Sequence, residues 1–420
     1  MNDVVVTGLG FITSVGNSRE EVADSLRSGL CGIAPWRFGM GQNSETPVKV
    51  AGAVKGFELS SHDHAAWTWP SQWNLDRPLV RGVPPHGIYA VCALEQALSQ
   101  AGLSRSELSD GATGLFCASA GSPKTMRYHL QRMEDCGWRR GHPLGITMST
   151  AGTLNFNLAA HYAIRGASCG FVSACTSSAH ALGYAMDEIR LGRQETMLVI
   201  GAEELTPETL LPFHAMGALS LDSNPETACC PFDIAAQGFV GAEGATALVL
   251  ESELHAKRRG ARPIARILGW GQASDGFAIA TPHPTGDGIQ RAVLRALGEA
   301  RVQADRIDYL NAHATSTPAG DRSEALALQA LFPAAGPAIS STKALTGHGL
   351  SLAAVMEAAF CILALDQHFV PGQFHLSQPL PEASGLDLPR ASRDTTPRHV
   401  LNVNSGFGGS NVCHVFSRYE

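Results

Sequence analysis

The hydrophobic and polar positions of this 420-residue chain fall into two alternating rhythms. Short apolar runs, such as Val4-Val5-Val6, Leu115 to Ser119, Met197 to Ile200 and Ala245 to Leu250, read as strands. Between them lie longer stretches with apolar residues three and four apart. Ile88, Val91, Leu94, Ala97 and Leu98 predict a helix over 84–101, stopped by Gly102. Asn17 or Ser18 caps a helix running to about Ser28 through Val22 and Leu26. Further helices are predicted over 123–136, 158–164 and 176–191. The charged segment 251–263 reads as a connection. Beyond it the rhythm returns, with strands over 264–269, 307–311, 338–339, 400–404 and 412–416 and helices over 289–300, 321–331 and 351–365. The alternation predicts an α/β protein with largely parallel sheets, and the similar layout of the two halves permits an internal duplication. Residues 33–82 break the rhythm and read as a surface-wrapping insertion. Trp67, Trp69 and Trp73 are expected to pack there beneath a loop rather than to form a binding cage.

Composition narrows the function classes. Apolar residues make up 44% of the chain and charged ones 16%, which suits a protein with a substantial core. A net charge of −7 argues against bulk electrostatic binding of nucleic acid. Ten scattered cysteines, several in apolar runs, suit a reducing cytoplasm rather than a disulfide framework. Cys229-Cys230 has no partner pair at metal-ligand spacing, so no metal site is expected. The N-terminus lacks a basic leader, and the apolar stretch 352–365 is short for a bilayer and carries Glu357. A soluble, cytoplasmic protein without membrane insertion is expected. Gly8-Leu9-Gly10 lacks a third glycine and is weak evidence for a nucleotide.

Candidate chemistry gathers at strand ends. The run Cys169 to Val172 reads as the end of a buried strand, and the helix begins at Thr176. Cys175 therefore sits at a strand-to-helix corner, where free N–H groups and the helix dipole favour an anion. That position suits a nucleophile with a lowered pKa, and it equally suits a buried core thiol. His313 and His348 each follow a strand and precede a helix, the edge where α/β sheets bind ligands. Glu357 lies on an otherwise apolar helix and needs a partner such as Lys343, or an outward face. Gly406-Phe407-Gly408-Gly409 allows close backbone approach to a ligand, or simply a hairpin turn.

Taken in order, Ser173 to His180, Pro231-Phe232-Asp233, His313 with Thr315 to Pro318, Lys343 with Thr346-Gly347-His348, and Gly406 to Asn411 resemble the β-ketoacyl-ACP synthases, the elongating condensing enzymes of the thiolase superfamily. The resemblance runs from Val4 to about Phe416. It implies a thiolase-like five-layer αβαβα fold built from two duplicated halves, here 1–251 with the nucleophile and 252–420 with both histidines. It implies a decarboxylating Claisen condensation of a Cys175-bound acyl group with malonyl-ACP to give 3-ketoacyl-ACP. His313 and His348 would be the catalytic histidines, Lys343 and Glu357 a supporting ion pair, and Asp321 a supporting carboxylate. Thr315 and Thr317 would touch the phosphopantetheine arm. The N–H groups of Cys175 and Phe407 would form the oxyanion hole, with Phe407 as gate. No cofactor beyond the carrier's phosphopantetheine is implied.

The implied partners are an acyl carrier protein and either a second copy or a sister ketosynthase-like subunit. Arg77 and Arg81, and more weakly Lys124 and Arg127, would face the carrier. A non-catalytic, chain-length-factor-like partner is the alternative reading, and acyl transfer or thioester hydrolysis without condensation is a third. The sequence departs from the family at Cys230, at Ala236-Gln237, at Ala314 and at Ser405. These departures suggest a rebuilt ion-pair network, an altered pocket mouth and a specialised substrate.

Overall fold

The computed structural model describes residues 2–36, 46–332 and 336–420. Part of the predicted insertion, 37–45, lies outside the described residues. Ten strands form the main sheet among the described residues: β1 (Val4–Ile12), β2 (Thr113–Ala118), β3 (Ser168–Phe171), β4 (Thr196–Glu203), β5 (Gly244–Ser252), β6 (Ala265–Ser274), β7 (Tyr309–Asn311), β8 (Ala338–Ser340), β9 (His399–Gly406) and β10 (Ser410–Arg418). Their spatial order is β8-β7-β9-β10-β6-β1-β5-β4-β2-β3. The halves are copies of one pattern in which strand n of the first matches strand n+5 of the second. In each half two antiparallel pairings (β1/β5 and β5/β4; β6/β10 and β10/β9) are followed by two parallel ones (β4/β2 and β2/β3; β9/β7 and β7/β8). A short antiparallel contact, Val4 to Val6 against Ala265 to Ile267, joins them. The sheet is therefore mixed, not largely parallel. The hairpin that closes the second half, and the long returns that bring β5 beside β1, impose antiparallel neighbours that strand–helix alternation does not reveal.

Helices complete five layers. On the outer face of the first half, α1 (Pro85–Ala101) packs on β1 and β5. The middle layer holds α2 (Ser177–Arg190) and α3 (Ala353–Gln367), which touch each other and lie between the half-sheets. On the far side, α4 (Asp287–Ala300) covers β6 and β10, with α5 (Pro318–Leu331) beside it. Because both faces of β1 are covered, all nine of its residues are buried and its sequence runs apolar without alternation. Gly8 and Gly10 are packing notches rather than a nucleotide loop. A Cβ on Gly10 would stand 1.8 Å from the Ala93 carbonyl oxygen of α1, and one on Gly8 2.1 Å from that of Ala97. Gly102 ends α1 in the left-handed conformation, φ 68°.

Two further expectations meet the structure. Trp67 is buried in one cluster with Leu59 and Val80, with Trp69 and Trp73 packed against it, so the tryptophans extend the core beneath α1. The run over 169–172 is not a buried strand. β3 is an edge strand, paired only with β2, and Val172 just beyond it is 61% exposed. The stretch 350–367 is apolar enough to cross a membrane by composition, yet 89% of it is buried as the middle layer.

Candidate active site

The chain reaches Cys175 through a strained corner. Ala174 has φ 51°, a left-handed conformation that costs a non-glycine residue about 1–2 kcal/mol. Side chains hold the corner: the Ser177 hydroxyl donates to the Ala174 carbonyl at 2.6 Å and accepts from the Ser173 N–H at 2.8 Å. The Thr176 hydroxyl donates to the Ser173 carbonyl at 2.7 Å. The turn lifts Cys175 off the sheet just ahead of α2.

Both histidines come from the other half. His313 follows β7. Its N–H and that of Ala314 donate to the Glu324 carboxylate at 2.8 and 2.6 Å. His348 lies between β8 and α3, with its N–H donated to the Val240 carbonyl at 2.7 Å. Its Nε2 stands 3.0 Å from Cys175 Sγ. The two imidazoles meet edge to face, centroids 5.3 Å apart at 87°. The sulfur and one nitrogen from each ring all lie within 4.8 Å of one another. Burial holds both histidines well below their ordinary pKa, and the Lys343 charge pushes the same way, so both rings are neutral near pH 7.

The cysteine corrects an expectation. Its thiol is not lowered. Burial pushes it up to about 12, against the opposing pull of Lys343. The helix dipole contributes at most about 2 kcal/mol, less than this desolvation. The resting pair is thus neutral thiol and neutral imidazole, and charge must be made as the sulfur attacks.

Lys343 and Glu357 form a fully buried ion pair. The outward-facing alternative for Glu357 is excluded. Its second oxygen accepts the Asn404 amide at 2.7 Å. Asp321 is fully buried and accepts the Phe232 N–H at 2.8 Å, with the N–H groups of Thr315, Ser316 and Thr317 also directed to it. Burial raises its carboxyl to about 7 despite those donors. Thr315 and Thr317 share a 3.0 Å hydrogen bond on the wall of a cavity of about 360 Å³. That cavity reaches Cys175, both histidines and Phe407, which is 38% exposed. Gly406 lies so close that a Cβ there would sit 3.2 Å from the Cys175 nitrogen. The four basic candidates do not form one free patch. Arg77 and Arg81 are exposed on one short helix, the Lys124 ammonium donates to the Ser60 carbonyl, and Arg127 is paired with Glu208 at 2.5 Å.

Two groups escaped the sequence reading. Glu324, raised to about 8 by burial, fixes the backbone at His313. It lies one helical turn after Asp321 on α5, a spacing that could have marked it. Phe213, Phe239 and His348 form an aromatic chain, with Phe213 also 5.8 Å from Phe407. No sequence pattern brings those four together.

Residues 1–256 match the profile of the β-ketoacyl synthase N-terminal domain, and residues 264–377 that of its C-terminal domain. The chain is 35% identical to 3-oxoacyl-[acyl-carrier-protein] synthase 1 of Haemophilus influenzae over the whole of both chains. It belongs to the β-ketoacyl synthase family. Among solved structures, a β-ketoacyl synthase from Burkholderia phymatum superposes with a TM-score of 0.90 at 31% identity, each chain fully covered. The ishigamide ketosynthase/chain length factor does so at 0.89 and 29%, again with full coverage. Against this family background the departures have structural answers. Where an arginine commonly precedes Pro-Phe-Asp, the Cys230 N–H donates to the Ser316 hydroxyl at 3.1 Å. Asp233 then takes the N–H groups of Ala235, Ser377 and Gln378 in place of a cation. Ser405 turns its hydroxyl to Asn411 at 2.7 Å, so position 405 brings no ring to the cavity mouth.

Proposed function

We propose that this β-ketoacyl synthase condenses a Cys175-bound acyl group with a malonyl thioester, both delivered on the phosphopantetheine arm of an acyl carrier protein. The observation that carries the assignment of roles is the 3.0 Å contact between His348 Nε2 and Cys175 Sγ, with His313 set edge-on beside it. In the first step the sulfur attacks the acyl thioester carbonyl. His348 takes the thiol proton and returns it to the departing pantetheine sulfur. The N–H groups of Cys175 and Phe407 receive the oxyanion, donors typically worth about 3–4 kcal/mol each. In the second step the malonyl carboxylate leaves as CO2, and the two neutral imidazoles donate to the enolate oxygen, His348 after its single ring proton has exchanged from Nδ1 to Nε2. The carbanion forms a C–C bond to the acyl carbonyl, the C–S bond to Cys175 breaks, and one proton from solvent restores the thiol. Lys343, balanced by Glu357, and Glu324 beneath His313 act as positioning groups, and Asp321 fixes the loop bearing Thr315 and Thr317. Those threonines line the path of the pantetheine arm, and Phe407 guards its end.

The chain is read as two halves, 1–251 and 252–420, that meet at this site. The edge strand β3 with exposed Val172, Phe156 and Ile146 supports pairing with a second copy or a sister subunit. Arg77, Arg81, Lys124 and Arg127 are offered to the carrier, and a cytoplasmic setting suits the unpaired cysteines. The full set of Cys175, His313 and His348 does not favour a non-catalytic partner. Incubation with a panel of acyl-carriers should place acyl mass on the Cys175 peptide. No acylation from any carrier would refute the assignment.

A further inference from the structure

Away from the catalytic cavity lies a second one, of about 380 Å³, and no residue lines both. Its walls come from the 61–67 segment, from the helix Pro123–Cys136 and from the loop at 140–143. Four cations reach it: Arg81, Lys124, Arg132 and Arg140. None of the four is paired with a carboxylate among the described residues. The acid on the wall, Asp63, is engaged by the Ala65 N–H at 2.9 Å. Unpaired cations are ordinary on a surface, but four around one concavity against the single carboxylate of Asp63 leave a net positive charge and concentrate positive potential there.

A second observation points the same way. His129 lines this cavity, and both its ring nitrogens are buried without a hydrogen-bond partner. A neutral imidazole carries one N–H donor and one acceptor, and leaving such groups unmet is costly. The ring is stacked on His142, centroids 5.6 Å apart. Burial and the charges of its neighbours, Arg132 among them, hold it below its ordinary pKa. A metal ion does not answer this arrangement. Among the described residues, only the Cys175 site brings three metal-ligating atoms within 4.8 Å of one another. Guanidinium forks and an imidazole N–H are instead the donors that planar, multivalent recognition of phosphate uses.

We infer that this cavity binds a phosphate group, with Arg132, Arg140 and the His129 N–H as its donors. The volume exceeds one phosphate, so a small phosphate monoester is the class of ligand that fits. Arg81 and Lys124 are shared with the face proposed for the carrier, but the inference stands on the cavity and does not need that reading.

The test is calorimetric titration of the full chain with inorganic phosphate and, separately, with free phosphopantetheine, at constant ionic strength set with chloride. Saturable phosphate binding is expected, weakened at least tenfold in the exposed-site double variant Arg132→Ala/Arg140→Ala. His129→Phe keeps the stacked ring and removes the orphan nitrogens. It should weaken phosphate about tenfold while leaving the phosphate-free melting temperature unchanged or higher. Equal affinities for the two ligands identify free phosphate as the source, and tighter phosphopantetheine binding identifies an ester. No saturable binding of either, or binding unchanged by Arg132→Ala/Arg140→Ala, overturns the inference. Carrier affinity is measured in parallel, so loss of the phosphate site and failure of the carrier reading give different results.

Discussion

Removing one partner of the Lys343–Glu357 pair should have an effect whose pH dependence identifies which partner was lost. Both side chains are fully buried, and Asn404 supplies the remaining hydrogen bond to Glu357. Glu357→Gln leaves an ammonium in an apolar layer, which costs about 3–5 kcal/mol unless the lysine gives up its proton. Surrendering that proton at pH 7 costs about 4.6 kcal/mol, from a reference pKa of about 10.4 and about 1.36 kcal/mol per pH unit. Lys343→Met leaves a carboxylate, which escapes by taking a proton at a cost of about 3.7 kcal/mol from a reference pKa of about 4.3. Burial already raises this carboxyl, and Lys343 is the first group holding it down. The folded pKa of Glu357 in Lys343→Met then lies above its unfolded value, so stability is greatest at low pH and falls as pH rises. In Glu357→Gln the folded lysine pKa lies below its unfolded value, so the variant gains stability as pH rises. Urea unfolding at pH 6, 7 and 8 should show the two penalties moving in opposite directions by up to about 1.4 kcal/mol per pH unit and crossing near about pH 7.3. The double variant Lys343→Met/Glu357→Leu should cost less than either single change near the crossing. Penalties below about 1 kcal/mol, or two curves moving together, would show that these charges reach solvent and would refute the reasoning.

Other expectations concern the reaction. Replacing His348 by Ala should slow acylation of Cys175 by about 10²- to 10⁴-fold in single-turnover mass spectrometry, the usual contribution of a positioned acid–base group; an unchanged rate would remove its proton-transfer role. Because both histidines are held well below 6.5, decarboxylation of malonyl-carrier should stay flat from pH 8 to 6, and a loss centred near 6.5 would contradict neutral imidazoles in the fold. Glu324→Ala should reduce decarboxylation more than acylation, because it frees the backbone at His313 and not at His348, and Glu324→Gln should recover part of the loss. Val172→Arg should shift the chain to monomer in sedimentation, and an unchanged mass would exclude the β3 edge as the subunit contact.

Much of this site could be read from the sequence because each side chain proposed to act in catalysis sits where a strand gives way to a helix, and local patterning marks such corners. Cys175, His313 and His348 were visible for that reason. What escaped depends on distance through space. Glu324 is one polar residue among several on α5, and its role follows only from the return of the His313 backbone over it. The edge position of β3 was invisible because a short apolar run is the same in sequence whether a neighbouring chain or the chain's own core covers it. The thiol's pKa escaped for a related reason: the helix corner is local, while burial outweighs it, and groups such as His348 and Gly406 approach the cysteine from the other half of the chain. Strand direction was lost because alternation counts elements without recording how the chain returns.

The middle-layer helix α3 also sets a constraint on synthesis. It is thirteen buried residues out of fifteen, and part of its cover consists of β9 and β10, which leave the ribosome after it. Until the last strands emerge, a nascent chain carries a helix apolar enough to be taken for a membrane span, with one flank bare. Burial of this helix therefore waits for β9 and β10, and chains cut short before residue 399 present that surface to chaperones and to one another.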